Sequence, residues 1–199
     1  MEPNSKEVLI TLADQTKTTG AAYSGDLIET VPADFAAATT ALASLTSTGY
    51  LGEDGIAVSS SISLSDFREM NRNIVRRGID STEATISYTE LQLMAEDVLV
   101  KKFGEDNVST VAATAQHGKQ TRVKVGSSLP PIGTHAFKLK DGDVRAILWV
   151  PRGQVTNGID VTFASNSIAS IPIEVSCYDD GTGGLFYIYF DDGTVVTGG

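Results

Sequence analysis

The chain is poor in the residues on which most site chemistry relies. It has one cysteine, Cys177, and two histidines, His117 and His135. One cysteine closes no internal disulfide, and two imidazoles without a cysteine pair lack the spacing of a zinc site. Cys177 stands between Val175 and Tyr178 in an apolar-alternating run, so it reads as a small core or interface residue. Basic residues are scarce as well: 15 Lys and Arg face 25 Asp and Glu, for a net charge of −10. Such a surface repels phosphate and argues against ordinary binding of DNA or RNA. No apolar run approaches the roughly 20 residues that span a bilayer. The start, Met1-Glu2-Pro3-Asn4, lacks the basic and apolar parts of a signal sequence. The expectation is a protein made and kept in the cytoplasm until it is assembled, with no membrane partner.

Catalytic signatures are missing too. The sequence holds no Gly-x-Ser-x-Gly, no Walker loop and no Gly-x-Gly-x-x-Gly behind a strand. Asp179-Asp180 and Asp191-Asp192 sit beside glycine, where Asp favours turns for backbone reasons, and calcium-loop spacing is absent. His117 and His135 read as surface or hydrogen-bonded histidines. No catalytic residue, metal site or cofactor is expected, and the chain does not read as an enzyme.

What is present is a β pattern. Ala84, Ile86 and Tyr88 alternate with Glu83, Thr85, Ser87 and Thr89. From residue 120 onward, strands are expected at 122–125, 135–140, 143–151, 159–164, 171–178 and 185–191. Asp-Gly and Asn-Gly pairs punctuate several of them. Shorter strand pieces are expected at 7–12, 56–58 and 61–64. One helix is expected at 31–48, where Phe35, Ala38, Leu42 and Leu45 share a face, and the longest near 91–103, stopped by Gly104. The reading is a single domain over 1–199, mainly β: a two-sheet sandwich or barrel-like fold with a flanking helix. Flexible ends are expected at 1–6 and 194–199, and loop or arm excursions at 13–55 and 105–120.

Three stretches, taken in order, resemble the major tail tube proteins of long non-contractile-tailed bacteriophages, the siphoviruses, especially the actinobacteriophage type. The first is Val31-Pro-Ala-Asp-Phe35, an Ala/Leu helix and Gly49-Tyr-Leu-Gly-Glu-Asp-Gly-Ile56. The second is Ser65-Asp-Phe-Arg-Glu69 with Ala84-Thr-Ile-Ser-Tyr88 and Lys102-Phe-Gly104. The third joins Arg145–Pro151, Asp160-Val-Thr-Phe163 and Ile171–Tyr178. The resemblance covers about residues 25–180. It implies a structural subunit that forms hexameric rings, stacked into a tail tube that delivers DNA. Its partners would be further copies of itself, a tape-measure protein in the lumen, and tail terminator and distal tail proteins. DNA would be met only in transit. The place implied is the virion tail, assembled in the host cytoplasm.

Two residue sets follow from reading the chain beside that resemblance. Arg68, Arg72, Arg76 and Arg77 concentrate positive charge in an acidic chain. The first three would line one face if 66–79 were helical. They are candidates for carboxylate contacts, including contacts between subunits. The polar strand faces Glu83/Thr85/Ser87/Thr89, Asp160/Thr162 and Glu174/Ser176 are candidates for the lumen, or else for outer solvent. The alternative class is another ring-forming tail component, a terminator or distal tail protein, or a non-catalytic β-sandwich binding module. An aromatic platform for sugar is not apparent, because the single Trp149 lies in the apolar run Ala146-Ile-Leu-Trp-Val150 and reads as core.

Overall fold

A computed structural model describes residues 9–15 and 20–194. Eleven strands and two short helices follow one another in the order β1 (Leu12–Ala13), β2 (Ala22–Gly25), α1 (Phe35–Ala41), β3 (Thr46–Thr48), β4 (Ala57–Arg68), β5 (Ile74–Glu90), α2 (Glu96–Phe103), β6 (Val108–Val111), β7 (Gln120–Val123), β8 (Gly133–Asp141), β9 (Val144–Val155), β10 (Ile171–Cys177) and β11 (Tyr187–Asp191). Nine strands form one sheet with the path β3-β2-β8-β9-β10-β5-β4; β1 joins β8 and β11 joins β9. β6 and β7 form a separate hairpin. The fold is mainly β with flanking helices, as expected.

Strand β9 makes one sheet into two layers. Its first half pairs with β11, Trp149 opposite Tyr187, and its last residues pair with β10, Val155 opposite Val175. β8 runs along its other edge. Ala22, Phe137, Leu148 and Val150 of one layer therefore meet Ala84, Ile86, Tyr88, Ile173, Val175 and Cys177 of the other in a single buried cluster. The Tyr88 and Phe137 rings lie edge to face with centroids 5.0 Å apart. The alternate residues of β9, Ile147 and Trp149, face away from that cluster and are covered by Ala38 of α1 and by Leu42 and Leu45 in the turn that follows it. Trp149 and Cys177 are both buried core residues, as their apolar settings predict.

Gly153 is required where the layers join. A Cβ there would stand 2.6 Å from the His135 ring and 2.7 Å from Val175 Cγ1.

Several expectations change. Residues 20–55 are not an excursion, because β2, α1 and β3 give Ala22, Tyr23, Ala38, Leu42, Leu45 and Thr48 to the interior. The helix expected over 31–48 shrinks to Phe35–Ala41, capped by Asp34, whose Oδ1 accepts from the Ala37 amide at 2.7 Å. Thr39 and Thr40 turn their hydroxyls back to the carbonyls of Phe35 and Ala36, and the β-branched Thr46 and Thr48 carry the chain into a strand. The longest helix does lie within 91–103, but it starts at Glu96, because the Leu91 amide is still paired with Tyr50 O. Gly104 ends it with φ of 83°. The excursion at 105–120 includes β6, paired with β7, and the strand expected at 122–125 lies at 120–123.

Residues 159–164 form no strand. The ladder to β10 ends when the Asn157 side chain takes over its bonds, accepting from the Glu174 amide and donating to Pro172 O, each at 2.9 Å. Residues 66–79 are not helical either. They close a long hairpin between β4 and β5. The strand expected at 7–12 is described only as Leu12–Ala13; residues 1–8, 16–19 and 195–199 lie outside the described residues, and with them nearly all of the expected flexible ends.

A buried polar cluster closes the fold at one end. Glu90 Oε1 on β5 accepts from Lys101 Nζ on α2 at 2.7 Å and from Thr48 Oγ1 on β3. Lys101 Nζ also donates to Thr48 Oγ1 at 2.6 Å and Tyr88 Oη at 3.2 Å. Both charges are buried. Burial holds Lys101 below the usual lysine range while Glu90 opposes that shift, and burial pushes Tyr88 well up. Removing one partner leaves the other buried and uncompensated, so Glu90→Leu and Lys101→Met should each lower unfolding free energy by about 3–5 kcal/mol. The double variant should lose less than the sum of the two. Urea unfolding of the four proteins measures this, and additive losses would contradict direct coupling.

Candidate assembly surface

The β4–β5 hairpin is rooted in the core through the last part of β5 and ends in solvent, with β4 without a buried residue along its length. Its pairing sets Val58 opposite Ile86 and Ser60 opposite Ala84, then Ile62 opposite Thr82 and, past a bulge, Leu64 opposite Ile79. Because strand residues alternate, these side chains share one face. At its root that face is core on β5, with Ala84 and Ile86 buried, while Val58 beside Ile86 on the edge strand is exposed; farther out Ile62, Leu64 and Ile79 are exposed too. β4 also ends the sheet path, so its outer edge is unpaired among the described residues.

The opposite face is rich in hydroxyl side chains. Ser59 lies opposite Thr85 and Ser61 opposite Glu83, while on the other side of β5 Thr85 faces Ser176 and Ser87 faces Glu174. The fold thus brings Glu83, Thr85, Ser87 and Thr89 together with Glu174 and Ser176 on one surface spanning three strands. Thr156 extends it, its hydroxyl 2.8 Å from that of Ser176. Asp160 and Thr162 lie outside these strands, in the irregular segment after β9.

The four arginines cluster at the hairpin tip but not as a helical row. Arg77 Nε donates to Asp66 Oδ1 at 2.9 Å and Arg68 Nη2 to Asp66 Oδ2 at 3.3 Å. All these groups are partly or largely exposed, so the pairs contribute little to stability. Arg72 and Arg76 make no ion pair among the described residues. Arg72 has φ of 67° in the closing turn, and its carbonyl accepts from Arg68 Nη1. The exposed Met70 is next to this turn.

A second feature is a cleft of about 230 Å³ between α2 and the β2–β8 ladder. Asp26, Asp97 and Glu105 line it with Lys101 and His135. The sequence offered no signal for this cleft, because its residues come from distant segments. His135 departs from the expected surface or satisfied histidine: it is buried, and its Nδ1 has no partner among the described residues. Burial, with Lys101 nearby, pushes its pKa down to about 3 against a backbone bond to Gly153. His117 is exposed, its Nδ1 2.8 Å from the Gly118 carbonyl.

The aspartate pairs act as turn caps. Asp179 accepts from the amides of Gly181 and Gly183, and Asp180 accepts from Thr182 and Tyr187. Asp191 accepts from the Gly193 amide and Asp192 from the Thr194 amide. Among the described residues no three His, Cys, Asp or Glu side chains come together as a metal site, and no helix is long and apolar enough to cross a membrane.

The sheet thus folds over with an edge strand, β4, unpaired among the described residues and an arm that carries its core face into solvent. The sequence profile of the phage tail tube protein family matches residues 5–197, nearly the whole chain, and the chain belongs to that family. Comparison with curated proteins finds no match. The protein is thus a structural component of a phage tail tube.

His135 generates a pH prediction. Its folded pKa of about 3 lies below the ordinary 6.5, so the folded state binds fewer protons between those values. Its neutral form supports stability fully above pH 6.5, and that support is lost as pH falls toward 3. Urea midpoints from pH 7 to 4 should show this group contributing a slope of up to about 1.4 kcal/mol per pH unit. His135→Gln should flatten the acid limb, and NMR should find the wild-type ring neutral at pH 5.

Proposed function

We propose that copies of this chain form hexameric rings that stack into the tail tube through which DNA is delivered. The observation that supports this most is the β4–β5 hairpin, whose exposed Val58, Ile62, Leu64 and Ile79 continue the core face of the sheet. A neighbouring subunit would cover that face, and the free edge of β4 offers backbone groups to another strand. The hydroxyl-rich face with Glu83, Thr85, Ser87, Thr89, Glu174 and Ser176 is the candidate lumen. A lining of small hydroxyls and carboxylates offers phosphate no cationic hold, as suits a duct that DNA must traverse. A tape-measure protein would occupy the lumen before DNA, and terminator and distal tail proteins would end the stack. The protein would act in the virion tail, after assembly in the host cytoplasm, without cofactor or catalysis.

Arg72 and Arg76 are proposed to meet carboxylates of an adjacent subunit, with Arg68 and Arg77 at the same tip held partly by Asp66. Arg suits such contacts because its planar fork meets a carboxylate at two points. The variant Arg72→Glu/Arg76→Glu should fold as the wild type does, within about 0.5 kcal/mol by urea unfolding, since both residues are exposed. Electron microscopy should then show tubes or rings for the wild type and few for the variant, with added salt weakening wild-type assembly. Normal tubes from a well-folded double variant would refute this role.

A further inference from the structure

We propose that the cleft between α2 and the β2–β8 ladder is a guanidinium socket, filled by Arg72 or Arg76 from the hairpin tip of a neighbouring copy. This rests on the self-assembly reading and adds the surface that receives the arm.

The chemistry of the cleft selects the occupant. Asp26, Asp97 and Glu105 are exposed on its lining and form no ion pair among the described residues. Lys101, the cation in its wall, is already matched by Glu90 at 2.7 Å. The cleft therefore presents net negative charge, which disfavours phosphate or carboxylate ligands.

His135 supplies an independent sign of a missing partner. It is 5% exposed, lines the cleft, and leaves Nδ1 without a hydrogen-bond partner among the described residues. A neutral imidazole carries one donor and one acceptor nitrogen, so an enclosed Nδ1 with no partner leaves the ring one bond short until the wall adjusts to a neighbour. A buried ring nitrogen left unpaired is costly, so the wall is chemically incomplete.

A metal ion does not fit this arrangement, because these side chains do not converge on one point. A guanidinium does: it is planar, carries five N–H donors and spreads its charge, so it can meet separated acceptors at once.

The hairpin supplies the matching group. Of its four arginines, Arg68 and Arg77 are engaged by Asp66, whereas Arg72 and Arg76 have no carboxylate partner among the described residues. Both are exposed at the end of an arm. From Ser61 to Arg68 the arm extends roughly 25 Å. The socket and the arginines are thus complementary in sign, donor count and exposure, and neither is satisfied within its own subunit.

A charge exchange tests the contact. Asp26→Arg/Glu105→Arg should melt as the wild type does but raise the protein concentration at which tubes appear by about tenfold or more. Combining it with Arg72→Glu/Arg76→Glu in one chain should restore assembly to near the wild-type concentration, because the signs are exchanged and again opposite. If the cleft variant lowers the melting temperature, Asp26→Asn/Glu105→Gln serves in its place, with an expected shift of about threefold, reversed by no tip substitution. Wild-type tubes together with unimpaired assembly of the cleft variant, or no restoration in the combined variant, would overturn the socket alone. A wild type that forms neither tubes nor rings under any condition would instead overturn the assembly reading on which it rests.

Discussion

The fold depends on bringing the two ends of its sheet together, and the Lys101–Glu90 pair stands at that join. β3 lies at one end of the strand path and β5 next to the other. Glu90 reaches Thr48 of β3, and Lys101 of α2 reaches both. The backbone follows the same route: the Gly52 amide donates to Thr89 O, and Leu51 pairs with Glu90. A buried ion pair is seldom a strong source of net stability. Its effect here is geometric, because the bonds that Glu90 Oε1 and Lys101 Nζ make with Thr48 and Tyr88 fix where β3, β5 and α2 meet, although Glu90 Oε2 is buried without a partner among the described residues. That position sets the cleft beside α2 and the direction in which β4 and β5 leave the body.

What leaves the body is a continuation of the core. A strand whose inner face is buried at one end and bare at the other has an unfinished surface, and only further protein can finish it without strain. The bare portion is moderated: Ser60 interrupts the aliphatic residues, the reverse face of β4 is largely serine, and the tip is charged. Such features limit indiscriminate edge pairing in the free subunit while leaving the face able to dock on a matched partner.

The sequence was most legible where one face is buried and the other is wet. Residues 82–90 show strict alternation, and the structure sets Ala84, Ile86 and Tyr88 inside with Thr85, Ser87 and Thr89 outside. Trp149 and Cys177 were equally readable from their apolar neighbours. The failures came where periodicity misled. Arginines four apart at 68, 72 and 76 suggest a helical face, yet the β-branched Ile74 and Val75 and the pairing to β4 draw the segment into a hairpin. At 159–164 the composition suits a strand, but Asn157 has already diverted the chain from its partner. The cleft left no local signal, because Asp26, Asp97, Glu105 and His135 come to line one cleft only after folding.

Charge and apolar area divide the labour on this surface. Burial of the stripe from Val58 to Ile79 would supply attraction without direction, since the hydrophobic effect scales with area and does not depend on fine orientation. An assembly held by that alone would tolerate slips along the strand by two residues, which preserve the face that is buried. Arginines at the tip, if they meet a neighbour's carboxylates as proposed, would resist such slips, because a planar fork matched to fixed acceptors loses its bonds when moved by a few ångströms. A chain with net charge −10 also repels its own copies at long range. Concentrating cations at the end of a projecting arm reverses that repulsion locally, at the point most able to reach a neighbour. On the proposed assembly, the acidic surface would keep unmatched approaches apart, and the arm would admit the approach in which its arginines find carboxylates.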